Sequence, residues 1–235
     1  MKEIAIMQPY FLPYIGYFQL LNKVDEFVLY DNIEYTKKGW INRNRMLQNG
    51  KAEYFTLPLK KDSDFLNINQ RFLAENSKLE IEKTLRKIKA NYMKAPMFNS
   101  FFPIVEDIFL YNEKNLFSFI LHSIKTMMEY IGVSTPIIIS SKLSDNIEQL
   151  KNQEKVIQIC KERNAISYIN PIGGVELYNK PSFQENGIEL NFMQANNIQY
   201  QQFKNEFVAF LSILDVGMFN EKEEIQIFLN EYTLK

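Results

Sequence analysis

The stretch Gln8-Pro9-Tyr10-Phe11-Leu12-Pro13-Tyr14-Ile15-Gly16-Tyr17 limits what this chain can fold into more than any other. It lies between two apolar runs with strand character, Glu3 to Met7 and Glu26 to Tyr30, and Phe18, Leu21 and Val24 follow it at helical spacing. Strand, loop, helix, strand is a βαβ unit, and short continuous apolar strands suit a parallel sheet covered on both faces. The loop leaving the first strand of such a unit opens at the sheet's carboxyl edge, where small ligands bind. The helix behind it aims free N–H groups and partial positive charge at the same place. Two prolines stiffen this loop and three tyrosines, Tyr10, Tyr14 and Tyr17, offer flat surfaces that also form hydrogen bonds.

Further along, Asn49-Gly50 between apolar runs predicts a β-hairpin over about residues 45–59, because both residues tolerate the positive φ of the turn. Phe65 to Phe72 reads as another short strand. Ser77 with Glu80 predicts a capping box, opening a helix that carries Ile81, Leu85, Ile88 and Tyr92 and ends at Pro96. Helices from about Phe101 to Tyr111 and from Leu116 to Ile131 complete a helical insertion at about 77–132. A strand at Pro136 to Ser140, a helix opened by Asp145 and Glu148, a strand at Tyr168-Ile169-Asn170 and a turn through Gly173-Gly174 follow. The last strand is expected at Gly187 to Phe192, with closing helices at Phe207 to Phe219 and Glu221 to Asn230. The fold class is therefore α/β, a Rossmann-like parallel-sheet core in a single domain of 235 residues.

Composition narrows the function. A net charge of −1 supplies no global field for nucleic acid or an anionic membrane, so electrostatic recognition must be local. No apolar run approaches the roughly 20 residues of a membrane span, and no signal-peptide core opens the chain, so a cytoplasmic protein is expected. The single cysteine, Cys160, and the single histidine, His122, both fall in helical patterns and read as packing residues. They exclude an intramolecular disulfide, a cysteine-rich metal site and a two-histidine metal site; no metal ligands are assigned.

Local chemistry concentrates after the second strand. Lys37, Lys38, Arg43 and Arg45 place four positive charges in nine positions, interleaved with Trp40, the only tryptophan. If Trp40 packs and orders the loop, Arg43 can grip a phosphate bidentately, for about 1.5–3 kcal/mol per charged hydrogen bond; otherwise the cluster is a solvated loop. Asp31, beside Asn32, ends the second strand, where it can orient a sugar hydroxyl, act as general base or simply turn the chain. Gln8 can present a donor and an acceptor to a substrate at once. Gly173-Gly174 could form a nest of N–H groups for an oxyanion, or an ordinary turn. Ser212 and Asp215, on one side of an apolar helix, either line the cleft or cap and hydrogen-bond.

Two resemblances sharpen this. Pro13-Tyr14-Ile15-Gly16-Tyr17 occupies the strand-to-helix position of HIGH-motif nucleotidylyltransferases, with tyrosines where those enzymes carry histidines; a phenol of pKa about 10 cannot supply a cation to a triphosphate. More extensively, Gln8 to Phe18, Asp25, Phe27 to Asp31, Lys37, Trp40, Asn42, Arg43 and Asn44 resemble the WbqC-like family. The likeness continues through Asn170 to Tyr178, Tyr200-Gln201-Gln202 and Ser212 to Asp215. Where many relatives carry a basic residue shortly before Tyr178, this chain has Glu176.

That family is associated with gene clusters for O-antigen and related surface polysaccharides. The resemblance implies a transferase that moves an acyl or aminoacyl group onto an amino sugar carried on a nucleotide or lipid. The activated donor is then a co-substrate, and no other cofactor is assigned. Asp31 and Gln8 are the candidate catalytic residues. Substrate binding falls to Tyr10, Tyr14, Gly16, Tyr17, Asn32, Lys37, Lys38, Trp40, Asn42, Arg43, Asn44, Gly173, Gly174, Tyr178 and Gln202. The expected ligand is a nucleotide sugar or other small phosphorylated substrate, with no nucleic acid and no membrane insertion. A homo-oligomer and an association with other polysaccharide-biosynthesis enzymes both stay open. So does the alternative of a non-catalytic sugar-nucleotide-binding or accessory protein.

Overall fold

A computed structural model describes residues 2–144, 147, 149–204 and 206–235. Its core is a six-stranded sheet built from β1 (Glu3–Met7), β2 (Glu26–Leu29), β5 (Ile137–Ile139), β6 (Ser167–Pro171), β7 (Glu189–Ala195) and β8 (Tyr232–Leu234). The spatial order is β5-β2-β1-β6-β7-β8, parallel except for the antiparallel edge pair β7 and β8. Taken outward from β1, the parallel strands run one way through β2 and β5 and the other way through β6 and β7. This is the doubly wound, Rossmann-like arrangement, and its switch point lies between β1 and β6. A separate two-stranded hairpin, β3 (Arg43–Gln48) and β4 (Lys51–Thr56), turns at Asn49 and Gly50, both with positive φ.

The period of two along each strand explains why both faces are covered. Ala5, Phe27, Leu29, Ile169 and Met193 enter one core; Ile4, Ile6, Val28, Tyr168, Leu190 and Phe192 enter the other. The first core is the larger. It takes in α1 (Ile15–Lys23), the three helices α2 (Ser77–Tyr92), α3 (Phe98–Leu110) and α4 (Leu116–Ile131), and the C-terminal α7 (Ile213–Phe219) and α8 (Lys222–Phe228). On the opposite face lie α5 (Asn152–Glu162) and α6 (Lys180–Glu185), bringing Cys160 and Phe183 into the second core. Fully buried side chains such as Phe18 and Leu21 each contribute about 1.5–3 kcal/mol through burial. Gly132 stops α4 in the left-handed conformation, with φ of 77°.

Several local expectations are corrected. Phe65 to Phe72 is no strand but an irregular segment holding one 3-10 turn, Ile68–Gln70, capped reciprocally by Asn67 and Gln70. Asn76, not Ser77, precedes α2, and the Ser77 hydroxyl accepts instead from Lys114 Nζ. The helix expected from Phe207 begins only at Ile213: Ser212 is its N-cap, accepting from Leu214 N at 3.1 Å, so the preceding residues are free to form a loop. Strand β8 follows the last helix where no strand was expected, recruited by the open edge of β7. The helix start proposed at Asp145 and Glu148 lies outside the described residues; α5 begins at Asn152. Among the described residues no helix is long and apolar enough to cross a membrane.

Candidate functional site

The loops leaving β1 and β2 meet. Phe11 N donates to Ile41 O at 3.0 Å, and the Phe11 ring, fully buried, packs against Phe55, Phe109 and Phe119 at 5.3–5.9 Å between centroids. With Phe11 as its anchor, the loop turns through Leu12, which holds a left-handed φ of 43°, uncommon for a branched side chain. The carbonyl of Leu12 receives Asn44 Nδ2 at 2.9 Å and Ser212 Oγ at 2.6 Å, while Ile213 N donates to Pro13 O at 2.8 Å. Two distant segments, Asn44 and Ser212-Ile213, thus hold one strained turn in place.

The product is a cavity of about 290 Å3 lined by Tyr10, Pro13, Tyr14, Trp40, Asn44, Arg45 and Phe210. Four of these seven are aromatic. Trp40 stacks on Tyr54 with centroids 6.1 Å apart, and the Arg45 guanidinium lies 5.4 Å from the centroid of the Trp40 ring. Arg45 Nη2 donates to Phe210 O at 2.9 Å, whereas its Nε is buried with no partner among the described residues. Phe210, itself at positive φ and 69% exposed, stands at the rim facing Tyr14. Burial raises the phenols of Tyr10 and Tyr14 above their ordinary value, so both stay neutral and keep a proton to offer a ligand. Gly16 acts indirectly: a Cβ there would come within 2.4 Å of the Tyr14 ring, which folds back over the start of α1. The arrangement can sandwich a sugar or base ring and meet a polar or anionic substituent with one cation.

Of the expected residues, Tyr10, Tyr14, Trp40 and Asn44 line this cavity. Asn44 does so as a brace, its amide spent on the carbonyls of Phe11 and Leu12. Tyr17 is buried beneath the loop and donates to Gln8 O at 3.1 Å, while Gln8 sits at the carboxyl end of β1. Arg43 is turned to its own loop: Nε donates to Gly39 O at 3.0 Å, Nη2 donates to Lys38 O, and the guanidinium lies over Tyr54 at 4.7 Å. Lys38 adopts a left-handed φ of 63° within that turn. Lys37 pairs with Asp64 at 2.6 Å and, with Asn42, lines a separate cleft. Asn42 accepts from Tyr35 Oη at 2.7 Å and donates to Leu57 O at 2.8 Å.

Asp31 is 1% exposed and accepts four hydrogen bonds, from Ser140 Oγ and Ser141 N at 2.9 Å, Ser141 Oγ at 2.6 Å and Asn69 Nδ2 at 2.9 Å. The carboxylate pins the end of β2 to the turn after β5 and to the 3-10 turn at 68–70. Asn32 joins the same knot, its Oδ1 lying 2.6 Å from Ser140 Oγ and sharing that hydroxyl's one proton with Asp31.

Gly173 and Gly174 lie in the 3-10 segment Ile172–Leu177 at the carboxyl end of β6. A Cβ at Gly174 would fall 2.1 Å from Asn170 Nδ2, so a larger residue there would displace that amide; Gly173 faces open space. Tyr178 stacks edge-on to Tyr168 and Phe183 on the second core. Gln202 is buried far along the chain, donating to Asp215 Oδ2 at 2.7 Å beside Tyr200 and Tyr92. Desolvation raises the Asp215 carboxyl, which these three donors oppose, so Ser212 and Asp215 serve as cap and buried hub.

Three members of the cavity lie outside the expected set: Pro13, which the sequence reads only as stiffening the loop, Arg45 and Phe210. Arg45 stood in the basic cluster and shares a strand face with Arg43 at i, i+2, which was the available signal. Phe210 had none, because only the loop before α7 brings it across.

No solved structure matches the chain. An uncharacterized protein of Mycobacterium tuberculosis is 26% identical over 233 residues, covering 97% of this chain and 98% of its own length. Residues 8–227 match the sequence profile of the WbqC-like protein family, a span that contains both cavity-lining loops, the Asp31 knot and the Asp215 hub. The chain belongs to the WbqC-like protein family.

Proposed function

We propose that this protein is a transferase of bacterial surface-polysaccharide assembly that moves an acyl or aminoacyl group onto an amino sugar carried on a nucleotide or lipid. The observation that carries the reading is the cavity shared by the two loops at the carboxyl edge of the sheet, four aromatic rings and one arginine in about 290 Å3. Its size and lining suit one sugar ring. Family membership supports the setting, since WbqC-like proteins are associated with O-antigen gene clusters. The reaction joins the sugar amine to the acyl carbon, breaks the bond to the carrier, and releases a proton from the attacking nitrogen. In this reading Trp40 and Tyr14 stack on the sugar, Arg45 meets its polar substituents, and Gln8 at the end of β1 orients the amine. Asp31, held by four donors, positions the loop that follows β2.

Incubating the protein with amino-sugar nucleotides and a panel of activated acyl and aminoacyl donors, followed by mass spectrometry, tests the proposal. One donor should give an acylated sugar, and Arg45→Ala should abolish it while the fold persists. Binding of the sugar nucleotide without product from any donor would instead identify an accessory binding protein.

A further inference from the structure

The second cleft, about 550 Å3 in volume, adjoins the aromatic cavity. Asn42 lines this cleft and Asn44 the cavity, and two residues of extended chain span about 7 Å. Its walls carry four cationic side chains, Lys37, Lys60, Lys61 and Arg71, against two carboxylates, Asp62 and Asp64. Arg71 is the unusual one. It is only 5% exposed, and a buried guanidinium is ordinarily paired with a carboxylate. Among the described residues none lies within ion-pair distance of it. Its contacts are neutral: Nη1 donates to Ser63 O at 2.7 Å, the guanidinium lies 4.8 Å over the Tyr35 ring, and Nε has no partner.

The backbone holds this charge at the cleft wall, so the side chain is not free to swing out to bulk solvent. Arg71 N donates to Ile68 O at 3.2 Å and Leu116 N donates to Arg71 O at 2.9 Å. The turn ahead of it is tied to Asp31 through Asn69, by both side chain and backbone. Lys37 is engaged by Asp64, and Asp62 accepts from Ser63 N. Lys60 and Lys61 are exposed at the mouth. The cleft therefore holds an excess of two positive charges, one of them desolvated and fixed.

We infer that this cleft is an anion site that takes a diphosphate group. An unpaired, buried guanidinium is costly unless a ligand completes it, and arginine meets phosphate oxygens bidentately. A diphosphate group, with about two to three negative charges near neutral pH, balances the excess charge, which a single carboxylate does not. The chemistry is common to nucleoside diphosphates and to isoprenoid diphosphate carriers. The inference does not depend on the transferase reading.

Calorimetry of the full chain with inorganic pyrophosphate, uridine diphosphate and geranyl diphosphate tests it. Pyrophosphate should bind at millimolar concentration or below, and Arg71→Gln should weaken it about tenfold or more. Because Arg71→Gln can fail to fold, the exposed pair Lys60→Gln/Lys61→Gln decides independently, with a loss of several-fold expected and an unchanged melting temperature. Tighter binding of uridine diphosphate than of pyrophosphate identifies a nucleotide, and tighter binding of geranyl diphosphate a lipid carrier. Absence of binding by all three ligands, or affinity unchanged in the lysine variant, overturns the inference. Pyrophosphate binding that survives Trp40→Ala, in a protein that transfers no acyl group, sinks the transferase reading and leaves the anion site standing.

Discussion

The guanidinium of Arg45 lies over the ring of Trp40, 5.4 Å from its centroid, and ties that ring to Phe210 O on the far side of the cavity. A strand, a loop and the segment before α7 are joined by these two side chains. Because Trp40 is the only tryptophan, its emission reports on the cavity directly.

Sugar-nucleotide binding should therefore change tryptophan fluorescence in a saturable manner. Trp40→Ala should weaken the same ligand by about 2- to 12-fold, from about 0.5–1.5 kcal/mol of ring stacking. As the ring is 38% exposed, the melting temperature should barely move. A saturable ligand that leaves the emission untouched would place the binding elsewhere.

Asp31→Asn replaces an acceptor of four hydrogen bonds with a group that must donate from one side. Losing charge-assisted bonds of about 1.5–3 kcal/mol each, the variant should be less stable by roughly 2–4 kcal/mol. In a chain of this size that is a drop of about 4–16 °C in melting temperature. Chemical denaturation measures it, and wild-type stability in the variant would refute the role of Asp31 as the knot between β2, β5 and the 68–70 turn.

Glu26 receives Arg163 Nε and Nη2 at 2.8 and 3.0 Å and pairs with Lys2 at 2.6 Å. The hydrogen bond from Arg163 is the main cause that holds its carboxyl below the ordinary 4.5. A lowered folded-state value means stability present above the unfolded value and lost as pH falls through the folded one. Glu26→Gln should thus melt about 2–4 °C below wild type at neutral pH, for about 1 kcal/mol, with the gap closing in acid below about 4.5. A gap that stays constant across that range would rule out the ion pair as its source.

Cys160 is fully buried, and desolvation pushes its thiol up to about 12. A thiol-exchange reagent should find no reactive group in the native protein and one after denaturation. Rapid modification without unfolding would contradict the packing of α5 on the sheet.

The phenolic loop, the basic segment and the Asn49-Gly50 hairpin were legible because each depends on neighbours in the chain: an apolar run, a turn residue, a cluster of charge. So were the α/β class and the helices α2 to α4, whose apolar spacing is local. What the sequence left open is which cation faces which wall. Arg43 and Arg45 differ by two positions and share one face, yet Arg43 braces its own turn while Arg45 closes the cavity. That difference is made by Gly39 and Lys38 on one side and Phe210 on the other, the last 165 residues away. Arg71, in a stretch that read as a strand, became a buried charge only because Asp31, Asn69 and Leu116 fix the turn around it. Periodicity and turn chemistry act over a few residues and so could be read directly. Partner choice for a long charged side chain is settled by whatever packing brings within about 3 Å, and only the folded chain decides that.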